Sequence, residues 1–205
     1  MKRRSLVVVA AGLSVPSSTR LLADRLSAAA VAAAAGLDIE LTTRVIELRD
    51  LAHDITNHML TGFPPAALAD ALDALAAADA LIPVTPIFNA SFSGLFKSFF
   101  DVVDKDTLTD KPVLLAATGG TARHSLALEH AVRPMFAYLR AVTVPTSVFA
   151  ASEDWGSGED GADGYLRGRI DRAAAELARE IDRRDPAVVA DPFALTTTFS
   201  ELLAD

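Results

Sequence analysis

Three stretches of this sequence carry polar side chains at the point where an apolar, strand-like run gives way to a helical pattern. The first stretch, 10–26, places several hydroxyl groups at the start of a predicted helix. A helix start offers unpaired backbone N–H groups and the positive end of the helix dipole, and both favour a phosphate. A cluster that only caps the helix is the alternative, because serine is common at helix starts. The candidate phosphate contacts are Ser14, Ser17, Ser18, Thr19 and Arg20.

The first stretch contains neither GxGxxG nor GxxxxGK followed by serine or threonine, the loops that hold dinucleotides and nucleoside triphosphates. A loop with hydroxyl donors but without repeated glycine suits a terminal phosphate monoester better than a buried pyrophosphate. We therefore expect a ligand with a phosphate at its end.

The second stretch, 81–101, has the pattern of a buried strand, a loop and an amphipathic helix. Pro86 should end the strand, because a proline has no N–H to donate to a neighbouring strand. The loop combines amide and hydroxyl groups with flat apolar side chains, which suits a planar heterocycle with polar edges. An ordinary strand-to-helix turn capped by Ser91 or Ser93 is the alternative. The candidate ligand contacts are Thr85, Pro86, Ile87, Phe88, Asn89 and Ser91.

The third stretch follows the apolar run 113–118 and contains two adjacent glycines. Glycine lets the backbone approach a ligand closely and point N–H groups at it. A plain tight turn, with a solvated arginine at the start of the next helix, is the alternative. The candidate contacts are Thr118, Gly119, Gly120, Thr121 and Arg123.

Strand and helix patterns alternate five times with short connections, which predicts a parallel sheet covered by helices on both faces. Loops that leave the carboxyl edge of such a sheet meet in the crevice where ligands bind. The segment 49–63 lacks a clear period and is predicted to be an ordered excursion over the surface. The predicted strands are 6–11, 41–48, 80–84, 113–118 and 142–150, and the predicted helices are 17–35, 64–78, 126–139 and 166–184, with one more from 94 onward.

At 205 residues the chain is predicted to form one domain, 1–190, followed by an apolar tail, 191–205, that packs on this domain or on a partner subunit. The absence of cysteine excludes disulfides, thiol redox chemistry and thiolate metal sites. The histidine spacings indicate no metal site. A net charge of -8 disfavours nucleic acid and anionic membranes as partners. The longest uncharged apolar stretch, 27–37, is too short to span a bilayer, and we expect a cytoplasmic protein.

Residues 86–101, PIFNASFSGLFKSFFD, resemble the flavin-contacting segment of the NAD(P)H-dependent FMN reductase family, which reads approximately P-x-Y-N-x-S-x-P-G-x-L-K-x-x-x-D. Phe88 stands where the family has tyrosine, and Ser93 stands where it has proline. The positions that match are Pro86, Asn89, Ser91, Gly94, Lys97 and Asp101.

The first stretch is similar to a second motif of that family, G-S-x-R-x-x-S-x-T. Gly12 and the serine cluster match, and Pro16 occupies the arginine position. The resemblance covers residues 7–150 and implies a flavodoxin-like three-layer sandwich, with a five-stranded parallel sheet in the order 2-1-3-4-5. It implies that FMN binds with its phosphate on the first stretch and its ring on the second and third.

The reaction that the resemblance implies is hydride transfer from NAD(P)H to FMN, with no side chain acting as acid, base or nucleophile and no metal. Arg123 would hold a phosphate of the nicotinamide nucleotide, because arginine offers a planar fork to such groups. Proteins of this family work as dimers or tetramers and often supply reduced FMN to a partner monooxygenase. We therefore expect a homo-oligomer with such a partner.

Three other functions remain open on the sequence. A quinone, azo-dye or metal-ion reductase would use the same bound FMN and differ only in the shape of its pocket. A flavodoxin-like electron carrier would bind FMN but oxidise NAD(P)H negligibly. An interaction domain would bind no flavin.

Overall fold

Three long strands form one side of the sheet in the computed structural model, which describes residues 1–155 and 162–187. β1 lies between β2, at one edge, and β3, and it pairs in parallel with both. The predicted edge position of the second strand is thereby confirmed. The predicted tail, 191–205, lies outside the described residues. The three strands are β1 (Lys2–Ala10), β2 (Ile39–Glu47) and β3 (Ala80–Phe88).

The third strand continues past Pro86, so the prediction that this proline ends it is wrong. β3 runs to Phe88, and a turn then reverses the chain into β4 (Ser91–Phe92), which pairs antiparallel with β3. The turn residues Asn89 and Ala90 have positive φ angles of 50° and 69°. Two successive residues in this region are typical of a tight hairpin turn.

The direction of the backbone groups explains why a proline is accepted at this position. Alternate residues of a strand direct their N–H and C=O groups to opposite neighbours. The carbonyl of Val84 accepts a hydrogen bond from the N–H of Ala11 (2.9 Å), on the β1 side. Pro86 therefore faces the β1 side as well, but β1 ends at Ala10. No strand remains there to accept an N–H from position 86.

The fourth and fifth places of the sheet are each divided between two short strands. β5 (Pro112–Val113) and β6 (Ala116–Gly119) both pair in parallel with β3, while β7 (Val142–Thr143) pairs with β5 and β8 (Val148–Ala151) with β6. The order β2-β1-β3-β5-β7 keeps the predicted arrangement, but the described residues form a sheet of eight strands where five were predicted. Pro145, which has no N–H to donate, lies in the gap between β7 and β8.

Arg133 supplies hydrogen bonds across the gap in the fifth place. In a continuous strand the carbonyls of this gap would accept hydrogen bonds from a neighbouring strand. The guanidinium group of Arg133 donates to them instead, so the interruption at the edge of the sheet leaves them paired. It donates to Oγ1 of Thr143 (2.7 Å), to the carbonyls of Val144 and Pro145 (3.2 Å each) and to Oγ of Ser147 (2.8 Å).

Helices cover both faces of the sheet, which confirms the predicted three layers. In the described ranges the α-helices are α1 (Ser18–Ala35), α2 (Ala52–Thr61), α3 (Ala66–Ala77), α4 (Gly94–Asp101), α5 (Arg133–Tyr138) and α6 (Ala162–Asp182). Val8 of β1 packs with α1 and α6 in one apolar cluster, and its neighbour Val9 packs with α2 to α5 in another. Successive side chains of a strand point to opposite faces, so β1 is buried from both sides.

The segment 49–63, for which no helix was predicted, is helical, and it lies over the surface as an ordered segment. A 3-10 turn (Leu48–Leu51) leads into α2, and Gly62 ends this helix in the left-handed conformation, with its N–H donating to the carbonyl of His58 (2.8 Å). Only Ile55 of α2 is buried. A helix that buries one residue lacks the repeated apolar spacing by which helices are predicted.

The helix predicted over 126–139 is divided in two. A π-helical turn (Leu128–Val132) precedes α5, and Pro134 lies in the first turn of α5. The N–H of Arg133 donates to the carbonyl of Leu128 in the π-helical turn, and the next residue, Pro134, has no N–H to extend that turn. In the described part of the chain no helix combines the length and the apolar character needed to cross a membrane.

Candidate functional site

The first loop folds back onto the start of α1. Ser17 caps the helix, since its Oγ accepts a hydrogen bond from the N–H of Arg20 (3.2 Å). A Cβ atom at Gly12 would lie 2.1 Å from this Oγ, so the loop can pass the cap only because position 12 is glycine. No acidic residue lies in the first turn of α1. The positive end of its dipole is therefore available to an anion.

The predicted phosphate contacts of this loop differ in what they offer a ligand. Ser14 and Ser18 are exposed and Ser17 is half-buried. Thr19 is only 2% exposed, and its Oγ1 lies 2.8 Å from Oγ1 of Thr118. The hydroxyl of Thr19 is thus engaged inside the protein, and its backbone N–H is the group that it can offer a phosphate.

Arg20 is engaged by acidic side chains. Its guanidinium group pairs with Asp24 (2.8 Å) and with Glu47. The hydrogen bond to Asp24 and the charges of both carboxylates raise the pKa of Arg20, although burial opposes them. Because the carboxylates compensate the charge of Arg20, the phosphate contact predicted for this residue would be weaker than that of an unpaired arginine.

Two charged residues at the end of β2 border the first loop and were missed by the sequence analysis. Glu47 lies opposite Ala10 of β1 in the parallel register, and the Nε of Arg49 is 3.4 Å from Oε2 of Glu47. With Ser14 and Arg20 they line an open depression at the surface. The predicted strand order could have revealed these two residues, because it places the end of the second strand beside the first loop.

The second loop is a hairpin held by buried hydroxyl groups. The side chain of Thr85 is fully buried, and its Oγ1 accepts from the N–H of Ser93 (3.1 Å) and donates to the carbonyl of Pro86 (3.0 Å). Ser93 in turn caps α4, since its Oγ accepts from the N–H of Phe96 (3.2 Å). The capping alternative is therefore correct for Ser93, while Thr85 and Pro86 are inside the protein.

The outer side of the hairpin presents a different set of groups. Phe88 is 46% exposed and Asn89 is exposed, whereas Ile87 and Ser91 are half-buried. An aromatic ring beside an amide and a hydroxyl is the combination that the sequence predicted for a planar ligand.

The two glycines of the third loop are explained differently. A Cβ atom at Gly119 would lie 2.7 Å from Cζ of Phe149, whereas one at Gly120 would meet nothing within 4 Å. Gly119 is therefore needed for packing inside the protein, which the sequence did not reveal. Gly120, Thr121 and Arg123 are exposed and accessible to a ligand.

The register of the sheet brings the three loops to one rim. Thr118 lies opposite Pro86, which joins the third loop to the second. The contact between Thr19 and Thr118 joins the third loop to the first. The loops therefore meet at the carboxyl edge of β1, β3 and β6, where open parallel sheets bind ligands. Among the described residues, no three His, Cys, Asp or Glu side chains are grouped so as to hold a metal ion.

Comparison with known proteins identifies the family to which this rim belongs. Residues 4–156 match the family model described as NADPH-dependent FMN reductase. The chain belongs to this family. An FMN reductase (NADPH) of Pseudomonas aeruginosa is 39% identical over an alignment of 178 residues, and the alignment covers 84% of this chain and 89% of that protein. FMN and NAD(P)H are therefore confirmed as the flavin and the electron donor of this FMN reductase.

Solved structures confirm the flavodoxin-like fold of this FMN reductase. An oxidoreductase from Corynebacterium diphtheriae is similar with a TM-score of 0.85 at 46% identity, over 90% of this chain and 100% of that one. A flavodoxin, WrbA-like protein from Agrobacterium tumefaciens has a TM-score of 0.56 at 21% identity, over 89% of this chain and 97% of that one. The second likeness is one of fold alone.

Proposed function

We propose that the three loops of this FMN reductase bind one FMN molecule, which the enzyme reduces with NADH or NADPH. The observation that carries the proposal is that the loops are joined at one rim, through Thr19, Thr118 and Pro86. FMN is polar and anionic at one end and planar at the other. It can therefore contact a helix start and two adjacent strand ends together.

The phosphate of FMN would be held at the start of α1. The N–H groups of a first helical turn have no partners within the helix, and Ser14, Ser17 and Ser18 add hydroxyl groups that can donate. Because Arg20 is paired with acidic side chains, neutral donors carry most of this contact. An exposed helix start with neutral donors suits a terminal phosphate.

The ring of FMN would lie against the second and third loops. Phe88 offers an exposed aromatic face, and Asn89 offers an amide that both donates and accepts. The backbone N–H groups of Gly120 and Thr121 are donors for the polar edge of the ring, where negative charge develops on reduction. When bound, the flavin supplies the redox chemistry, and the protein supplies binding and orientation.

The nicotinamide nucleotide would be recognised in part by Arg123. This arginine is exposed directly after the third loop. A planar guanidinium group binds a phosphate with two parallel hydrogen bonds. We assign it the phosphate that distinguishes NADPH from NADH.

We further propose that reduced FMN leaves the protein and serves a flavin-dependent monooxygenase, and that the enzyme acts as a cytoplasmic homo-oligomer. Exchange of flavin needs an open site. The exposed side chains of Ser14, Ser18, Phe88 and Asn89 support such exchange.

The test combines turnover with a charge placed at the proposed phosphate site. Oxidation of NADPH by the full chain is measured with FMN, riboflavin or a benzoquinone as acceptor, and flavin affinity is measured by fluorescence titration. Ser18→Asp should weaken FMN binding at least about tenfold, because a carboxylate repels the phosphate at close range, and should leave riboflavin binding unchanged.

The matched control is Thr109→Asp, which adds the same charge at an exposed residue just before β5, at the other edge of the sheet. Equal FMN affinities of the two variants would contradict the phosphate site. Faster NADPH oxidation with benzoquinone than with FMN would contradict the proposed reaction.

A further inference from the structure

The two threonines that join the first and third loops form a buried polar contact. The Oγ1 atoms of Thr19 and Thr118 are 2.8 Å apart, and the two residues are 2% and 4% exposed. At this distance one hydroxyl donates to the other. Buried polar groups are normally paired, so each hydroxyl depends on the other for its partner.

Each threonine lies at a position that controls one end of the proposed FMN site. Thr19 is the second residue of α1, two positions after the capping residue Ser17. Thr118 lies in β6 between Pro86 of β3 and Ala150 of β8 in the sheet register. The pair therefore connects the helix start that would hold the phosphate to the strands that would hold the ring.

We propose that the Thr19–Thr118 pair sets the spacing between the phosphate end and the ring end of the site, and thereby makes the enzyme select FMN over riboflavin. This inference rests on the proposed FMN site. Both threonines act as positioning residues, because their hydroxyl groups contact each other inside the protein.

The short distance between the two hydroxyl oxygens supports the proposal that this pair sets the spacing between α1 and β6. Two hydroxyl oxygens approach to 2.8 Å here, whereas apolar carbon atoms in contact are about 3.5–4.0 Å apart. Valine at both positions would therefore separate the start of α1 from β6 by about 1 Å, the difference between these two distances. A displacement of that size is large for a ligand held at both ends by hydrogen bonds.

FMN and riboflavin should respond differently to this displacement. FMN must match the phosphate contact and the ring contacts at the same time, so a change in their spacing weakens one of them. Riboflavin has no phosphate and contacts the second and third loops alone. A loss of general stability would instead weaken the binding of both flavins together.

The decisive variant is the double substitution Thr19→Val with Thr118→Val. Each single substitution leaves one buried hydroxyl without a partner and should lower stability, whereas the double substitution removes both hydroxyl groups and should restore part of it. The ratio of riboflavin to FMN dissociation constants should fall at least about tenfold in the double variant. Urea unfolding without flavin measures stability separately.

Three further variants complete the experiment. Thr19→Ser and Thr118→Ser keep the hydroxyl pair and should retain the preference for FMN. Thr118→Ala adds no bulk and should still lose part of the preference, so it serves if the double variant does not fold. Thr56→Val removes a hydroxyl bond within α2, to the carbonyl of Ala52, and is the control away from the loops.

The outcomes separate this inference from the proposed function. A double variant, or a Thr118→Ala variant, that keeps the wild-type ratio overturns the inference while the FMN site stands. A wild-type protein that binds FMN no better than riboflavin overturns the proposed phosphate site and the inference with it. Loss of preference in the serine variants would show that the hydroxyl pair is not the cause.

Discussion

The ammonium group of Lys111 lies 2.6 Å from the backbone carbonyl oxygen of Ala78, inside the protein and just after the end of α3. It also donates to the carbonyls of Leu75 (2.7 Å) and Ala76 (3.0 Å). The last carbonyls of a helix have no partner within it, and Lys111 is only 7% exposed. This lysine therefore caps α3 at the amino edge of the sheet, opposite the three loops.

Replacing Lys111 by methionine should lower the free energy of unfolding by about 2–4 kcal/mol, because buried carbonyls lose charged donors. Urea unfolding measures the change, and Lys105→Met, at an exposed lysine, is the control. FMN reduction per folded molecule should stay at the wild-type rate, since the loops lie at the other edge. A loss of stability no larger than that of the control would contradict the capping function.

The same lysine should make stability depend on alkaline pH. Burial lowers the pKa of Lys111 from 10.5 to about 8, and the charge of Asp79 opposes this shift. Between these two values the unfolded chain holds a proton that the native protein has released, so the free energy of unfolding rises with pH. The neutral amine keeps two N–H donors for the carbonyls.

The measurement is the difference in unfolding free energy between the wild type and Lys111→Met across this pH range. The difference should grow in favour of the wild type as pH increases from 8 towards 10.5. A constant difference would show that Lys111 titrates with an ordinary pKa, and a shrinking difference would show that its pKa is raised; either result contradicts the prediction.

Gly119→Ala should destabilise the enzyme by about 1–3 kcal/mol, the usual cost of overpacking a core. The added methyl group would lie 2.7 Å from the ring of Phe149, so the ring or β6 must move. Gly120→Ala, where the new atom meets open space, is the matched control for thermal unfolding. Combining Gly119→Ala with Phe149→Leu should recover part of the loss, and no recovery would show that the ring is not the cause.

Arg123→Ala should raise the KM for NADPH about tenfold, because a charge-assisted contact to a phosphate is lost. The KM for NADH, which lacks that phosphate, should not change. Steady-state rates with each nucleotide at saturating FMN measure both values. Arg172→Ala, at an exposed position of α6, is the control. Equal changes for the two nucleotides would exclude Arg123 from recognising the phosphate.

The positions of the three loops were predictable because their signals are local. The second half of β1, from Leu6 to Ala10, and most of β3 are apolar, and the polar residues follow within a few positions. The partners of those polar residues were not predictable from nearby sequence. Thr19 is bonded to a residue 99 positions away, and the pairing of Arg20 with Glu47 depends on the register between β1 and β2.

The errors along the chain have the same physical origin. Pro86 was predicted to end a strand because it has no N–H to donate to a neighbouring strand. It lies beyond the end of β1, however, where no strand could accept that hydrogen bond, so nothing is lost. No helix was predicted over the segment that forms α2, because a helix that buries only Ile55 shows no apolar period in its sequence. In both cases the environment supplied by other elements determines the structure, and the local pattern does not carry that information.

The early end of β1 also has a consequence for solubility. A strand that extends past the end of its neighbour normally exposes unpaired backbone donors and acceptors. Such an edge can pair with strands of other molecules and lead to aggregation. Beside the end of β1, position 86 has no donor because it is proline, and its carbonyl already accepts from the hydroxyl of Thr85. The space beside Pro86, beyond the end of β1, can thus stay open to small molecules, and it offers no template for β-pairing with another molecule.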